Sequence, residues 1–436
     1  MSIQEIRHLP GGVFEGGRLH EAVPPFSVKG PISCRLNGQD GQGNPASIAL
    51  DADIFSKHLC FIGGIGTGKS NAIFHVVSQL RRALGRDDVM ILFDTKGDFH
   101  EKFYRAGDVV ISNDNTMPGV IDSWNIFREI DTSNEDKLKE SIYEIAETLF
   151  YEKIHASKEP FFPNAAKDLL AAVLLHFNRA DYLPRDNQGL KAYLDGSPMD
   201  LLREMLGCYD DLRAMETYIA AGSNQANGVF AELQQLSRKT FMSNFAQAGS
   251  LSMRQLVREK QGRVVFVEYD IGVANMLTPI YRLLFDMAIK ESLSRGRSAG
   301  NVWFVIDEFR LLPHLQYIEN AVNFGRGLGV KFIIGVQNIS QIDEAYSGLA
   351  ASILSGFSTN FIFRLNDRAS MNYVQGITGH NRKAEIYKSG SSQVVEHIRE
   401  GNVVEDWDIS RLGLGEAIIG LAGAEPFKFR FGRFVP

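Results

Sequence analysis

Lys69 and Ser70 lie in the run "FIGGIGTGKSNAIF" (61–74), where Gly63, Gly68, Lys69 and Ser70 keep the spacing G-x-x-x-x-G-K-S. That pattern suits one task, a grip on a triphosphate. Glycines let the backbone curl until its N–H groups face phosphate oxygens, aided by the positive end of the following helix. Residues expected to line the nucleotide are Gly63, Gly64, Ile65, Gly66, Thr67, Gly68, Lys69, Ser70 and Asn71. Lys69 is expected to reach the β- and γ-phosphates, and Ser70 to offer its hydroxyl to Mg²⁺. ATP and Mg²⁺ are therefore the expected cofactors.

A second signal is "NVWFVIDEF", in which an apolar run delivers Asp307 and Glu308 to the carboxyl end of a strand. In a doubly wound sheet that edge is where ligands sit. Asp307 is expected to hold the metal through water, and Glu308 to polarise the attacking water as general base. Alone, such a run reads equally well as a solvated strand end. With a P-loop upstream it points to NTP hydrolysis, the nucleotide lying between Lys69 and the two acids on adjoining strands.

Three weaker signals follow. Asp94, Lys96 and Asp98 in "LFDTKGDFHEKF" sit just past another strand, at the same edge. By chemistry alone a charged turn around Gly97 is the commoner meaning. Gln337 in "VQNISQI" ends a strand where its amide could feel the γ-phosphate, although spacing alone favours a strand-end turn. Arg326 and Arg364 are the candidates for a guanidinium near the γ-phosphate, an effect worth about 10³–10⁵ in rate. For each taken singly, a surface arginine is the default.

These residues need elements to place them. "HLCFIGG" reads as a strand entering the P-loop. Ile73, Val76, Val77, Leu80 and Leu84 then mark one helical face, and "DVMILFD" reads as a strand covered on both sides. From about 130 to 250 the texture turns helical, as in "NEDKLKESIYEIAETLF" and "NAAKDLLAAVLLHF". Strand runs return at "RVVFVEY", "VWFVID", "VKFIIGVQ", "NFIFRL" and "EAIIGLAG". One helix is expected to begin at Thr278-Pro279. Alternation of strands and helices implies a doubly wound α/β sheet. The expected division is a β-rich lead-in over 1–57, a nucleotide-binding domain over 58–129 and 251–436, and an all-α insertion over 130–250.

Composition sets the outer bounds. The chain has 436 residues, 44% hydrophobic and 22% charged, an ordinary globular profile with room for several domains. A net charge of −6 means that any polyanion must be met by a local basic patch or a pore. Arg238-Lys239 and Arg254 to Lys260 are basic candidates that more often prove to be solvated helix faces. Cys34, Cys60 and Cys208 lie far apart, suit a reducing compartment and are expected to be buried small apolar residues. No membrane-length apolar run and no signal-peptide pattern is expected.

In order and character, "HLCFIGGIGTGKS", "ILFDTKGDF", "SWNIFREI", "VWFVIDEFRLLPHL", "GRGLGVKFIIGVQNISQIDEAYSG" and "TNFIFRLNDRASMNYVQGITG" resemble the TraD/TraG-type coupling proteins of conjugation and type IV secretion, within the FtsK–HerA motor superfamily. The resemblance runs from about residue 50 to 435. It implies a RecA-like P-loop NTPase sheet with an all-α domain, and a ring, expected to be hexameric, with ATP at subunit interfaces and single- or double-stranded DNA in the channel. It implies that Arg326 matches the arginine finger and Gln337 the sensor. A relaxase or secretion-system proteins become the expected partners of the helical domain. Members of the family usually begin with membrane-spanning helices. The expectation is thus a cytoplasmic protein, or one peripheral at the inner membrane through a partner or a missing anchor. Two other readings stay open: an ATP-dependent assembly scaffold or receptor, and a HerA-like motor of a DNA-processing or defence complex.

Overall fold

Four consecutive apolar residues, Leu59–Ile62, form a strand with every side chain buried, because neighbours flank it on both edges and both faces are covered. Its parallel partners are Thr359–Ile362 on one side and Val330–Val336 on the other. In the computed structural model, which describes residues 7–9, 13–294, 299–388 and 394–436, these strands belong to the first of two units: 1–84, 303–310 and 322–436. The strand order there is Pro45–Asp51, Ile32–Asp40, Phe427–Phe431, Glu416–Gly420, Thr359–Ile362, Leu59–Ile62, Val330–Val336, Val302–Ile306. The first four are joined by antiparallel pairing, and Glu416–Gly420 also runs antiparallel to Thr359–Ile362. Phe61 stacks on Phe361 at 4.4 Å between ring centroids, and Phe304 on Phe332 at 4.8 Å.

The lead-in strands Ile32–Asp40 and Pro45–Asp51 thus sit at the edge of the sheet that carries the P-loop. The contact is made by Phe427–Phe431, with Arg430 opposite Gln39. A smaller antiparallel sheet pairs His380–Lys388 with Val394–Asn402, Arg7–Leu9 and Val13–Gly16. Residues 1–6 and 10–12 of the expected lead-in lie outside the described residues.

The second unit comprises 85–302 and 311–321. It holds the parallel strands Val89–Asp94, Arg263–Glu268 and Val109–Ile111, in that order. Between 130 and 250 the described residues form helices and no extended strand; the longest are Glu135–Ala156, Phe161–Arg179 and Asn224–Thr240. The segment "SWNIF" ties them together. Asn187, fully buried, donates to the carbonyls of Trp124 (2.7 Å) and Phe245 (3.0 Å) and accepts from the Ile126 N–H (2.9 Å). Glu129, also fully buried, accepts from the Trp124 indole (2.8 Å) and the Met253 N–H (2.6 Å). Buried polar groups matched this completely favour one arrangement over its competitors.

Three local expectations change. The helix expected to start at Thr278-Pro279 starts at Ala274 and carries Pro279 inside. The Thr278 hydroxyl donates to the Ala274 carbonyl at 3.0 Å, within the turn that proline interrupts. Cys34 and Cys60 are buried, with the Cys34 thiol pushed up to about 12 by burial, but Cys208 is exposed past the end of the helix Met199–Gly207. Arg254 is no solvated face: it reaches the Glu129 carbonyl (2.9 Å), Glu291 (3.1 Å) and Asp131 (3.4 Å) from a largely buried position. Among the described residues no helix is long and apolar enough to cross a membrane.

Candidate functional site

The loop after Ile62 is held open by both neighbouring strands. The Gly63 N–H donates to the Val336 carbonyl and the Gly64 N–H to the Arg364 carbonyl, each at 3.0 Å. The Thr67 hydroxyl closes the turn on the Gly64 carbonyl at 2.8 Å. Gly68 has φ = 109°, a left-handed value that side chains resist, and a Cβ there would lie 3.0 Å from the Gly415 Cα. The Gly415 N–H in turn donates to the Thr67 carbonyl at 3.0 Å. Glycine is thus required at 68 by both torsion and space. Lys69 opens the helix Lys69–Ala83, and its amine lies in the loop mouth, donating to the carbonyls of Gly63 and Gly64, the latter at 3.1 Å.

Asp307 follows the buried strand Val302–Ile306, and its Oδ2 accepts from the Ser70 hydroxyl at 2.7 Å. The loop residue and the strand-end acid therefore meet, as the spacing predicts. Their strands are not adjoining, however: Val330–Val336 stands between them. Gln337 follows that intervening strand, and its amide donates to Glu308 Oε2. Arg310 donates from Nε to Glu308 Oε1 at 3.1 Å. Glu308 is thus fixed at both oxygens, by the expected sensor and by an arginine that the sequence reading passed over. Its only sequence signal is its place two residues after the acid.

A hydroxyl and a carboxylate 2.7 Å apart at the foot of a phosphate loop are hard oxygen donors that fit Mg²⁺. Magnesium is usually held by one or two protein oxygens together with substrate phosphates.

Other expected residues fall elsewhere. Arg364 stands beside the loop: its carbonyl holds Gly64 and its side chain is exposed. Arg326 lies in the turn Gly325–Leu328, before the strand whose far end meets Gly63. The strand's length puts it about 20 Å from its own P-loop, where it pairs with Asp53 at 2.7 Å. Asn71 turns away from the loop. Its amide donates to the Gly432 carbonyl at 2.9 Å and accepts from the Phe434 N–H at 2.8 Å. His75 meets the same carbonyl at 2.9 Å, and the Phe434 ring packs on it at 5.3 Å. A C-terminal strap thus clasps the first turns of the P-loop helix, a contact across more than 350 residues that local patterning does not reveal.

Asp94, Lys96 and Asp98 belong to the second unit. Buried Asp94 accepts the N–H groups of Phe99 and His100, each at 2.8 Å, and of Lys96 at 3.2 Å, so it shapes the turn into the helix Asp98–Phe103. Lys96 is exposed, and Asp98 pairs with Lys102 at 3.5 Å. Opposite Asp94 in register lies Glu268, 7% exposed, whose Oε1 has no hydrogen-bond partner among the described residues. Burial, then the neighbouring Asp94, push its carboxyl up to about 9.

With the geometry in hand, the family is decided by a profile of the type IV secretion-system coupling protein DNA-binding domain, which matches residues 43–411. The chain belongs to that family. Among related coupling proteins, TraD of Escherichia coli (strain K12) is 21% identical over 394 residues, which is 85% of this chain and 51% of TraD. The conjugal transfer protein TraG of Rhizobium radiobacter is 20% identical over 424 residues, 88% of this chain and 63% of TraG. The chain thus spans about half to two thirds of the length of these relatives. The coupling protein TrwB, solved in complex with ADP and Mg²⁺, superposes with a TM-score of 0.71 at 18% identity, covering 99% of this chain and 97% of TrwB. The unbound monoclinic form of the same coupling protein gives 0.71 at 20% identity, over 89% of this chain and 88% of that one. The expected RecA-like α/β fold stands.

Proposed function

We propose that this chain is the ATP-hydrolysing motor of a coupling protein, translocating DNA or a DNA–protein complex in conjugation or type IV secretion. The observation that carries the reading is the meeting of Ser70 with Asp307 at 2.7 Å beside a Glu308 held by Gln337. A module that only binds nucleotide has no use for a second, oriented carboxylate.

Bound Mg²⁺–ATP supplies a γ-phosphoryl group for transfer to water. Lys69 and the loop N–H groups neutralise and orient the phosphates. Ser70 and Asp307 would hold the metal. Glu308 takes a proton from water at a carboxylate oxygen, and Gln337 keeps that oxygen aimed. Arg364, exposed beside the loop, would meet charge from within the subunit. Arg326, far from its own loop, serves as a finger only for a neighbouring subunit, which favours a ring, proposed here as hexameric. Residues 58–129 and 251–436 form the motor domain in this reading, with 1–57 as lead-in and the helical block 130–250 receiving a relaxase or secretion-system cargo at the cytoplasmic face of the inner membrane.

ATPase assays with and without single-stranded and duplex DNA test the proposal. DNA-stimulated turnover, abolished in Lys69→Ala and in Glu308→Gln, is the expected result. Slow turnover indifferent to DNA sinks the motor and leaves an assembly scaffold.

A further inference from the structure

The five residues after the last strand, 432–436, emerge at the ligand edge of the P-loop sheet and have no part in the chemistry described so far. Phe427–Phe431 runs antiparallel to Glu416–Gly420, which runs antiparallel to Thr359–Ile362, which runs parallel to Leu59–Ile62. The two reversals cancel, so Phe431 ends at the same edge as Ile62. These residues also fall beyond the stretch 43–411 that the family profile matches. Sheet order decides which end of the nucleotide they face. On one side of Leu59–Ile62 stand Val330–Val336 and Val302–Ile306, whose ends lead to Gln337, Asp307 and Glu308. A γ-phosphate sharing Mg²⁺ with Ser70 and Asp307 lies on that side. On the other side stand Thr359–Ile362, Glu416–Gly420 and Phe427–Phe431. The triphosphate is a linear chain gripped by the loop N–H groups, so its α-phosphate and nucleoside leave the loop toward this second side. Helix geometry agrees. Successive helical residues turn by about 100°, so Ser70 reaches Asp307 while Asn71 reaches Gly432.

The strap is pinned there on both sides of one residue. The Asn71 amide donates to the Gly432 carbonyl (2.9 Å) and accepts from the Phe434 N–H (2.8 Å), and His75, one turn along the helix, meets the same carbonyl (2.9 Å). The Phe434 ring packs on Phe74 at 5.8 Å and on His75 at 5.3 Å. Between the two pinned backbone groups stands Arg433. It is exposed, and no hydrogen bond or ion pair engages its guanidinium among the described residues. A guanidinium fork matches phosphate oxygens, and a backbone fixed in advance lowers the ordering cost of using it.

We propose that Arg433 binds the α-phosphate of the bound nucleotide, and that Asn71 is the positioning residue that aims it by pinning the strap. The inference rests on the nucleotide reading of the P-loop and not on the DNA-motor reading. Lys69 serves the β- and γ-phosphates, and Arg433 serves the other end of the same chain. The two cations therefore differ in what they hold after hydrolysis. Arg433 keeps its contact when the γ-phosphate has gone, so ADP and ATP gain from it alike.

Isothermal titration calorimetry of the full chain with Mg²⁺–ADP, and with a non-hydrolysable ATP analogue and Mg²⁺, tests the contact. Arg433→Ala is expected to weaken both ligands equally, by about tenfold, the loss of one charge-assisted hydrogen bond. Arg433→Lys keeps the charge on the same backbone and should recover part of that loss. Asn71→Ala should weaken both ligands by a similar factor and add little to Arg433→Ala, because the two residues act as one unit. Lys69→Ala is the control for the loop itself. If Lys69→Ala weakens binding and Arg433→Ala does not, the Arg433 contact is lost and the nucleotide site stands. If Arg433→Ala weakens the ATP analogue and spares ADP, the guanidinium serves the γ-phosphate and the proposal fails. Equal losses in Arg433→Ala and Arg433→Lys, or full additivity with Asn71→Ala, trace the effect to packing of the strap and overturn it as well. Wild-type affinity in Lys69→Ala removes the nucleotide reading of the loop, and Arg433 with it.

Discussion

Glu268 gives the sharpest prediction of stability. It ends a buried strand in register with Asp94; burial raises both carboxyls, but backbone N–H groups donated to Asp94 oppose the rise there, so of the two it is Glu268 that keeps a proton. Burial and the Asp94 charge raise the Glu268 pKa from 4.5 to about 9 in the folded state. For an acid shifted upward, the stability is complete below the unfolded value and is lost as pH rises toward the folded one. Each unit in that window costs about 1.36 kcal/mol, so moving from pH 5 to pH 8 costs about 4 kcal/mol. That is a large share of the 5–15 kcal/mol typical of a folded domain. Glu268→Gln carries no titrating proton and offers an amide N–H to Asp94, so it escapes the slope. Urea unfolding of both chains at pH 5 and pH 8 reads the difference: the variant should gain on the wild type by up to about 4 kcal/mol across the interval. Parallel profiles, within about 0.5 kcal/mol, would show that Glu268 ionises freely in the folded chain, and the paired-acid argument would fail.

His58 predicts the opposite slope. Its Nε2 donates to the Val322 carbonyl and its Nδ1 accepts from the Phe332 N–H, both at 3.1 Å, and burial lowers its pKa to about 4. Stability from this group is complete above pH 6.5 and is lost as pH falls toward 4, so NMR should find a neutral Nε2–H imidazole at pH 5; protonation near pH 6.5 would refute it. Gln337→Ala should lower ATPase turnover by about 10- to 100-fold at unchanged nucleotide affinity, and an affinity loss of similar size would reassign Gln337 to binding. Gly68→Ala should cost about 1–2 kcal/mol from its left-handed torsion alone, read as a fall in melting temperature and weaker nucleotide binding. Mixing Arg326→Ala chains with Glu308→Gln chains should restore part of the ATPase activity that each lacks alone, as the proposed action of Arg326 on a neighbour requires, whereas Arg364→Ala with Glu308→Gln should not.

The chemistry was legible where it is local. The spacing from Gly63 to Ser70, and the apolar runs ending at Ile306 and Val336, are contiguous in the chain and set the Ser70–Asp307 and Glu308–Gln337 contacts. Contacts that depend on distant pairing were not. The strand Phe427–Phe431 alternates buried and less buried residues over only five positions, too few to announce that it would dock the lead-in strands. The aim of Asn71 toward Gly432, and of Arg326 toward Asp53, depends on segments hundreds of residues away. Arg254 looked like solvent-facing charge because its partners Glu129 and Glu291 lie far from it in sequence.

The strap across the P-loop helix also sets an order of events during synthesis. Asn71 and Gly432 are separated by 361 residues. At a ribosomal rate of about 5–20 residues per second, that gap takes roughly 20–70 s to translate. Throughout that interval the helix that carries Lys69 and Ser70 lacks its brace, so in a nascent chain that helix reaches its final setting only after residue 432 has been made.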